Sequence, residues 1–242
     1  MAMFPYDAAL LMAVQAASQS IPDVVQILEA IDATCDDGDG LKWFNWLYLQ
    51  VTQAVEARVI SGGFNDPAWL VQFDLQFASF YFSALKSALS GEAAPSCWQV
   101  LFNSRNQGAI ARIQFAMAGI NAHINHDLAE AIVSTCQTTG TTPDHGGTHY
   151  NDYTALNSTL DALIESSKAE LNLRLLGGEL PPISHLEDTI AAWNVSAARE
   201  KAWQNAEHLW QFRTSALLTS SFIDMLDGFT TVIGKALLVP VP

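Results

Sequence analysis

"AGINAHINHDLAEAIV", residues 118–133, has the apolar spacing of a buried helix, yet two histidines and an aspartate sit in its middle. At about 100° of rotation per residue, Ile113, Met117, Ile120, Ile124 and Leu128 form an apolar stripe, and Phe115, Ala122 and Val133 flank the other side. His123, His126 and Asp127 fall between them in an arc of roughly 100°, with the small Ala116 and Gly119 leaving room beside it. His123 and Asp127 are four apart and meet on a helix surface. That spacing permits a hydrogen bond that fixes the imidazole tautomer, or two ligands to one metal. Two plainer readings compete: a solvated strip continued by Glu130, and a satisfied structural network. Asn121 and Asn125 lie on the opposite side, placed to cross-link neighbouring helices.

Working outward, "DPAWLVQFDLQFASFYFSAL", residues 66–85, is hydrophobic nearly all round and is expected to be buried. Asp74 shares an arc with Leu70, Phe77, Ala78, Tyr81 and Leu85, where an unpaired carboxylate is costly. A histidine, a metal or the distant Arg199 is its expected partner. Arg199 and Trp203 also have the spacing of a guanidinium–indole stack.

Apolar residues recur at three and four positions almost throughout, which predicts an all-α fold: a single-domain multi-helix bundle over 1–242 with a central buried helix near 107–137. Helices are expected near 6–17, 21–34, 41–60, 67–90, 95–103, 107–137, 152–176, 185–212 and 214–237. Asp66 is placed to cap a helix opening on Pro67. Ser184 and Glu187 have capping-box spacing, and Gly177–Gly178 ends the preceding helix. "TTGTTPDHGGTHYND", residues 138–152, reads as a loop poised as a lid, with a mobile surface excursion as the alternative. It offers His145 and His149. Asp152 either caps the next helix, its commoner role, or turns inward, and Asn157 follows among Leu156, Leu160 and Leu163. His185 and His208 read as incidental.

The chain has 242 residues, 50% hydrophobic and 15% charged, enough for a sizeable core. A net charge of −14 without a basic cluster argues against nucleic acid as a partner. The N-terminal stretch lacks a basic n-region, and no apolar run reaches the roughly 18 residues of a spanning helix, so neither a secretory signal nor a membrane span is expected. Cys35, Cys97 and Cys136, odd in number and widely spaced, argue against a disulfide framework or thiolate zinc site and point to a cytoplasmic setting.

"WFNWLYLQVT", "GINAHINHDLAEAIV", "DYTALN" and "AREKAW", together with the 66–85 stretch, resemble an uncharacterised bacterial family, Domain of Unknown Function 5995, over roughly 43–210. The resemblance implies an all-helical domain with an Asn-Ala-His-Ile-x-x-Asp-Leu signature at Asn121, Ala122, His123, Ile124, Asp127 and Leu128. It supplies no reaction. "CDDGDG" resembles half of a terpene-cyclase metal motif, but its glycines put it in a loop and "NDYTALNST" lacks the second half. Paired Glu-x-x-His elements, His-Glu-x-x-His, a phosphate loop and a Gly-x-Ser-x-Gly elbow are all absent.

Two readings follow. The first is an enzyme doing acid/base chemistry, such as cyclisation, isomerisation or lyase action, on a small, largely apolar molecule. Its pocket lies between the helices of Asp74 and His123, under the 138–151 loop. His123, Asp127, Asp74 and His126 form the polar floor, and Trp43, Trp46, Trp69, Phe77, Tyr81 and Asn157 contact the substrate. A metal-dependent hydrolase or oxygenase built on His123, Asp127 and either His126 or Asp74 is a less favoured variant, because these ligands do not aim easily at one ion. The second reading is a non-catalytic ligand-binding or scaffold protein. A cavity above about 300 Å3 reaching His123 favours the first. Homo-oligomerisation is left open.

Overall fold

The computed structural model describes residues 3–176 and 194–240, with the backbone alone for 164–176. Within them the fold is all-α: α1 (Asp7–Val14), α2 (Ile21–Thr34), α3 (Gly40–Ser61), α4 (Pro67–Ser90), α5 (Ser96–Ser104), α6 (Arg112–Ala122), a π turn (His123–Asp127), α7 (Leu128–Thr139), α8 (Thr148–Leu176), α9 (Val195–Phe212) and α10 (Ala216–Leu237). The bounds of α2 and α4 coincide with those expected. Gly177, Gly178, Ser184, His185 and Glu187 lie outside the described residues.

Side chains stop the free amides at several helix starts. Asp66 accepts from Trp69 N at 3.0 Å ahead of Pro67, and Ser20, Asp39, Asn194 and Ser215 do the same for α2, α3, α9 and α10. Gly140, at φ 69°, closes α7 in a left-handed turn that side chains disfavour. The "CDDGDG" acids serve structure: Asp39 pairs with the buried Arg105, which also reaches Asp7 at 3.1 Å, and Asp37 bridges to Lys42 at 3.0 Å.

The central element is the run 112–139, in which α6 passes through the π turn into α7. The π turn was not expected. One added residue per turn breaks the 100° arithmetic at the histidines themselves, and such bulges recur at functional sites. Around the run, α3, α4, α5, α9 and α10 supply a continuous buried apolar cluster. Gly119 does not leave room beside the polar arc. A Cβ there would lie 2.2 Å from the Phe44 ring, so α3 fills the gap. Asn121 cross-links as expected: it donates to Thr230 O on α10 at 2.9 Å and accepts from Asn125 at 2.9 Å.

The loop after α7 is shorter than 138–152, since α8 begins at Thr148. Asp152 turns inward instead of capping, and its oxygens accept from Asn65 N at 2.8 Å and Asp66 N at 2.7 Å. By length and composition α10 is apolar enough to cross a membrane, although Ser, Thr and Asp interrupt it, and Leu217, Met225, Phe229 and Val232 are exposed along it.

Candidate active site

Asp127 is buried on the π turn and holds three donors. Its Oδ2 accepts from His123 Nδ1 at 2.9 Å and from Trp98 Nε1 of α5 at 2.9 Å, and its Oδ1 accepts from His126 Nδ1 at 2.7 Å. A carboxylate only accepts, so both imidazoles present Nδ1–H to it, and their Nε2 atoms face away. Burial alone would raise the Asp127 carboxyl, but the two imidazole bonds outweigh it and hold the group below its ordinary range.

His123 is packed in aromatic rings. Phe77 stacks on it at 3.5 Å between centroids, and Tyr48 meets it edge-on at 4.7 Å. Burial pushes its imidazolium down further than Asp127 lifts it, so the ring is neutral. Its Nε2 is buried with no hydrogen-bond partner among the described residues. A neutral ring with Nδ1–H tied to a carboxylate and a bare Nε2 is a base or an acceptor.

That ring lines an apolar cavity of about 130 Å3. Phe44, Tyr48, Val51 and Val55 come from α3; Phe73, Asp74 and Phe77 from α4; Ile120 and Ile124 from the central run; Leu156, Leu160 and Leu163 from α8; Val195 and Arg199 from α9. Three of these residues carry a buried polar atom without a hydrogen-bond partner among the described residues: Tyr48 Oη, Asp74 Oδ2 and His123 Nε2. Burial, with Glu56 nearby, raises the Asp74 carboxyl to about 7, which keeps a substantial part of it protonated at neutral pH. Burial likewise raises the Tyr48 phenol.

The expected residues divide. Asp74 and His123 line one cavity, as proposed, but no hydrogen bond joins them. Phe77 is a wall. Trp43 lies under the Arg112 guanidinium at 4.2 Å, and Trp69 stacks with His149 at 4.8 Å. Tyr81 donates to Asn45, and Trp46 is buried; none of these four lines the cavity. Asn157 sits one step behind it, accepting from Arg199 Nε at 2.7 Å. Arg199 lies over Tyr153 at 4.1 Å, in place of the expected stack on Trp203, and does not pair with Asp74. His126 is on the far side of Asp127, away from the cavity. No residue of the 138–151 loop lines it, so the lid expectation fails. The volume is below the 300 Å3 mark and suits a benzene-sized guest, such as an engineered cavity of about 150 Å3 accepts. A metal on His123 and Asp127 is disfavoured, because hydrogen bonds occupy both Asp127 oxygens and His123 Nδ1.

Sequence reasoning missed Tyr48 and Trp98. Tyr48 carries a weak signal, a phenol one turn after Phe44 on the aromatic α3. Trp98 carries none, since its contact with Asp127 spans 29 positions.

Fold and site define an all-α protein with a buried His–Asp–His cluster on its central run, one end of which lines a largely apolar cavity. The chain matches the model of the Family of unknown function (DUF5995) over residues 21–240 and belongs to that family. No curated protein and no solved structure matches it.

Proposed function

We propose that the protein is an acid/base enzyme acting on a small, largely apolar molecule, with His123 Nε2 as the base and Asp127 as the residue that orients it. The carrying observation is that three buried polar atoms without a hydrogen-bond partner among the described residues, His123 Nε2, Asp74 Oδ2 and Tyr48 Oη, belong to residues lining one cavity that is apolar apart from these and Arg199. A neutral imidazole lining the same cavity as a carboxyl raised to about 7 is a base matched with an acid. The pairing suits a carbonyl compound. His123 takes a proton from the carbon next to the carbonyl, and Asp74 or Tyr48 donates a hydrogen bond to the oxygen as it gains charge. Returning the proton elsewhere isomerises the substrate, and expelling a group makes the reaction a lyase step.

Cyclohexanone, near the cavity in size, is a suitable probe. Incubated with the protein in D2O, it is expected to gain deuterium beside the carbonyl faster than in buffer, with the gain lost in His123→Ala. Binding seen by calorimetry without His123-dependent exchange would favour the second reading, a ligand-binding protein. The small volume and the tight Phe77–His123 stack are the observations on that side.

A further inference from the structure

Away from the cavity, three helical segments bring metal-ligating atoms to one point. Cys97 in the first turn of α5, His126 on the π turn and Asp227 on α10 each offer one donor atom, all within 4.8 Å of one another. We propose that these side chains bind a zinc-class divalent ion at a site separate from the cavity. Glu130 Oε1 stands 3.7 Å from His126 Nε2, so the fourth position falls to Glu130 or to water.

The donor set selects the ion. A thiolate and an imidazole favour zinc, whereas magnesium and calcium take oxygen donors. Zinc–donor bonds of about 2.0–2.3 Å place tetrahedral ligands roughly 3.3–3.8 Å apart, so the cluster closes on an ion with side-chain shifts near an ångström. Two of the ligands are already oriented. His126 Nδ1 donates to Asp127 at 2.7 Å, the carboxylate–histidine arrangement that aims the other nitrogen at a metal. The Asp227 oxygens accept from Cys97 N at 2.8 Å and Ser96 N at 3.0 Å, which fixes that carboxylate against Cys97. Binding forms a zinc–sulfur bond as the Cys97 thiol proton leaves to water, with no change of oxidation state. The ion would join α5, the π turn and α10, whose contacts are far apart in sequence. The rival account makes Asp227 only a cap for α5 and Cys97 a buried thiol.

The test is titration of the chelator-stripped full chain with Co2+, followed by Zn2+. One equivalent of Co2+ is expected to give a thiolate-to-cobalt charge-transfer band, erased by one equivalent of Zn2+. Cys97→Ala should lose the band, and Asp227→Asn should weaken cobalt binding while leaving the band in place at saturating metal. A Cys35→Ala/Cys136→Ala double variant should keep the band, which assigns the thiolate to Cys97 even where Cys97→Ala fails to fold. A wild-type spectrum without the band, or a band that survives Cys97→Ala or vanishes in a folded double variant, overturns the proposal. Cyclohexanone exchange read on the same stripped samples reports on the cavity independently of either result.

Discussion

His123 and His126 stand three positions apart on one π turn and donate to opposite oxygens of one carboxylate, yet they are tuned in opposite directions. His123 is enclosed by Phe44, Tyr48, Phe77, Tyr81 and Trp98, and burial wins: its imidazolium is disfavoured. Burial acts on His126 too, but there the Asp127 bond, with Glu130 and Asp227 behind it, more than offsets the loss and raises the ring above its ordinary value. The shared carboxylate therefore does not set the chemistry. What surrounds each ring does: a cage of aromatic rings around His123, and a thiol and carboxylates beside His126.

Crossed variants break this comparison most sharply. His123→Ala should cut cyclohexanone exchange by roughly two to four orders of magnitude, the usual cost of losing a positioned base. It should leave the cobalt band in place. Cys97→Ala should do the reverse, losing the band and keeping exchange. Variants that fell together in both assays would mean that the two sides are one site.

The next effect is one of pH. Asp74 titrates near 7 in the folded chain against about 3.8 unfolded, so the native state holds its proton more tightly. Its stabilising contribution is full below the unfolded value and is lost as pH rises through 7. At about 1.36 kcal/mol per pKa unit the loss reaches up to roughly 4 kcal/mol. Urea melts at pH 4 and pH 8 should therefore diverge for the wild type and diverge less for Asp74→Asn, where Glu130, also raised to about 7 by burial, keeps part of the dependence. An unchanged pH dependence in the variant would place the Asp74 carboxyl in a solvated setting.

The smallest expected effect is structural. Asn121→Ala removes the donor to Thr230 O and the acceptor of Asn125, at about 1 to 3 kcal/mol of stability. Exchange and cobalt binding should both persist in the folded fraction. Loss of either at full folding would show that α10 acts on the cluster through Asn121.

The fold was legible because helical periodicity and caps are local: "NDPAW" alone fixes the start of α4. The His123–Asp127 pair was legible for the same reason. The walls of the site were not. Tryptophans at 43, 46 and 69 have the composition of a binding pocket, but whether a ring fills space or lines it depends on packing partners elsewhere in the chain. Gly119 shows the same limit, since the room it leaves is taken by Phe44. Cys97 and Asp227, 130 positions apart, meet only because α10 lies across α5. The π turn, finally, has no pattern in side-chain type that marks an extra residue per turn.

The central claim is that His123 is a neutral base with its proton on Nδ1 and a bare Nε2 at the cavity. Two-dimensional 15N–1H spectra of histidine-labelled, chelator-stripped protein read this directly, with His123→Gln assigning the resonance. The account predicts a His123 ring in the Nδ1–H form across neutral pH, protonating below the ordinary imidazole range, and an Nε2 shift that moves when cyclohexanone is added. A His123 imidazolium at neutral pH, or a ring with its proton on Nε2, would contradict it.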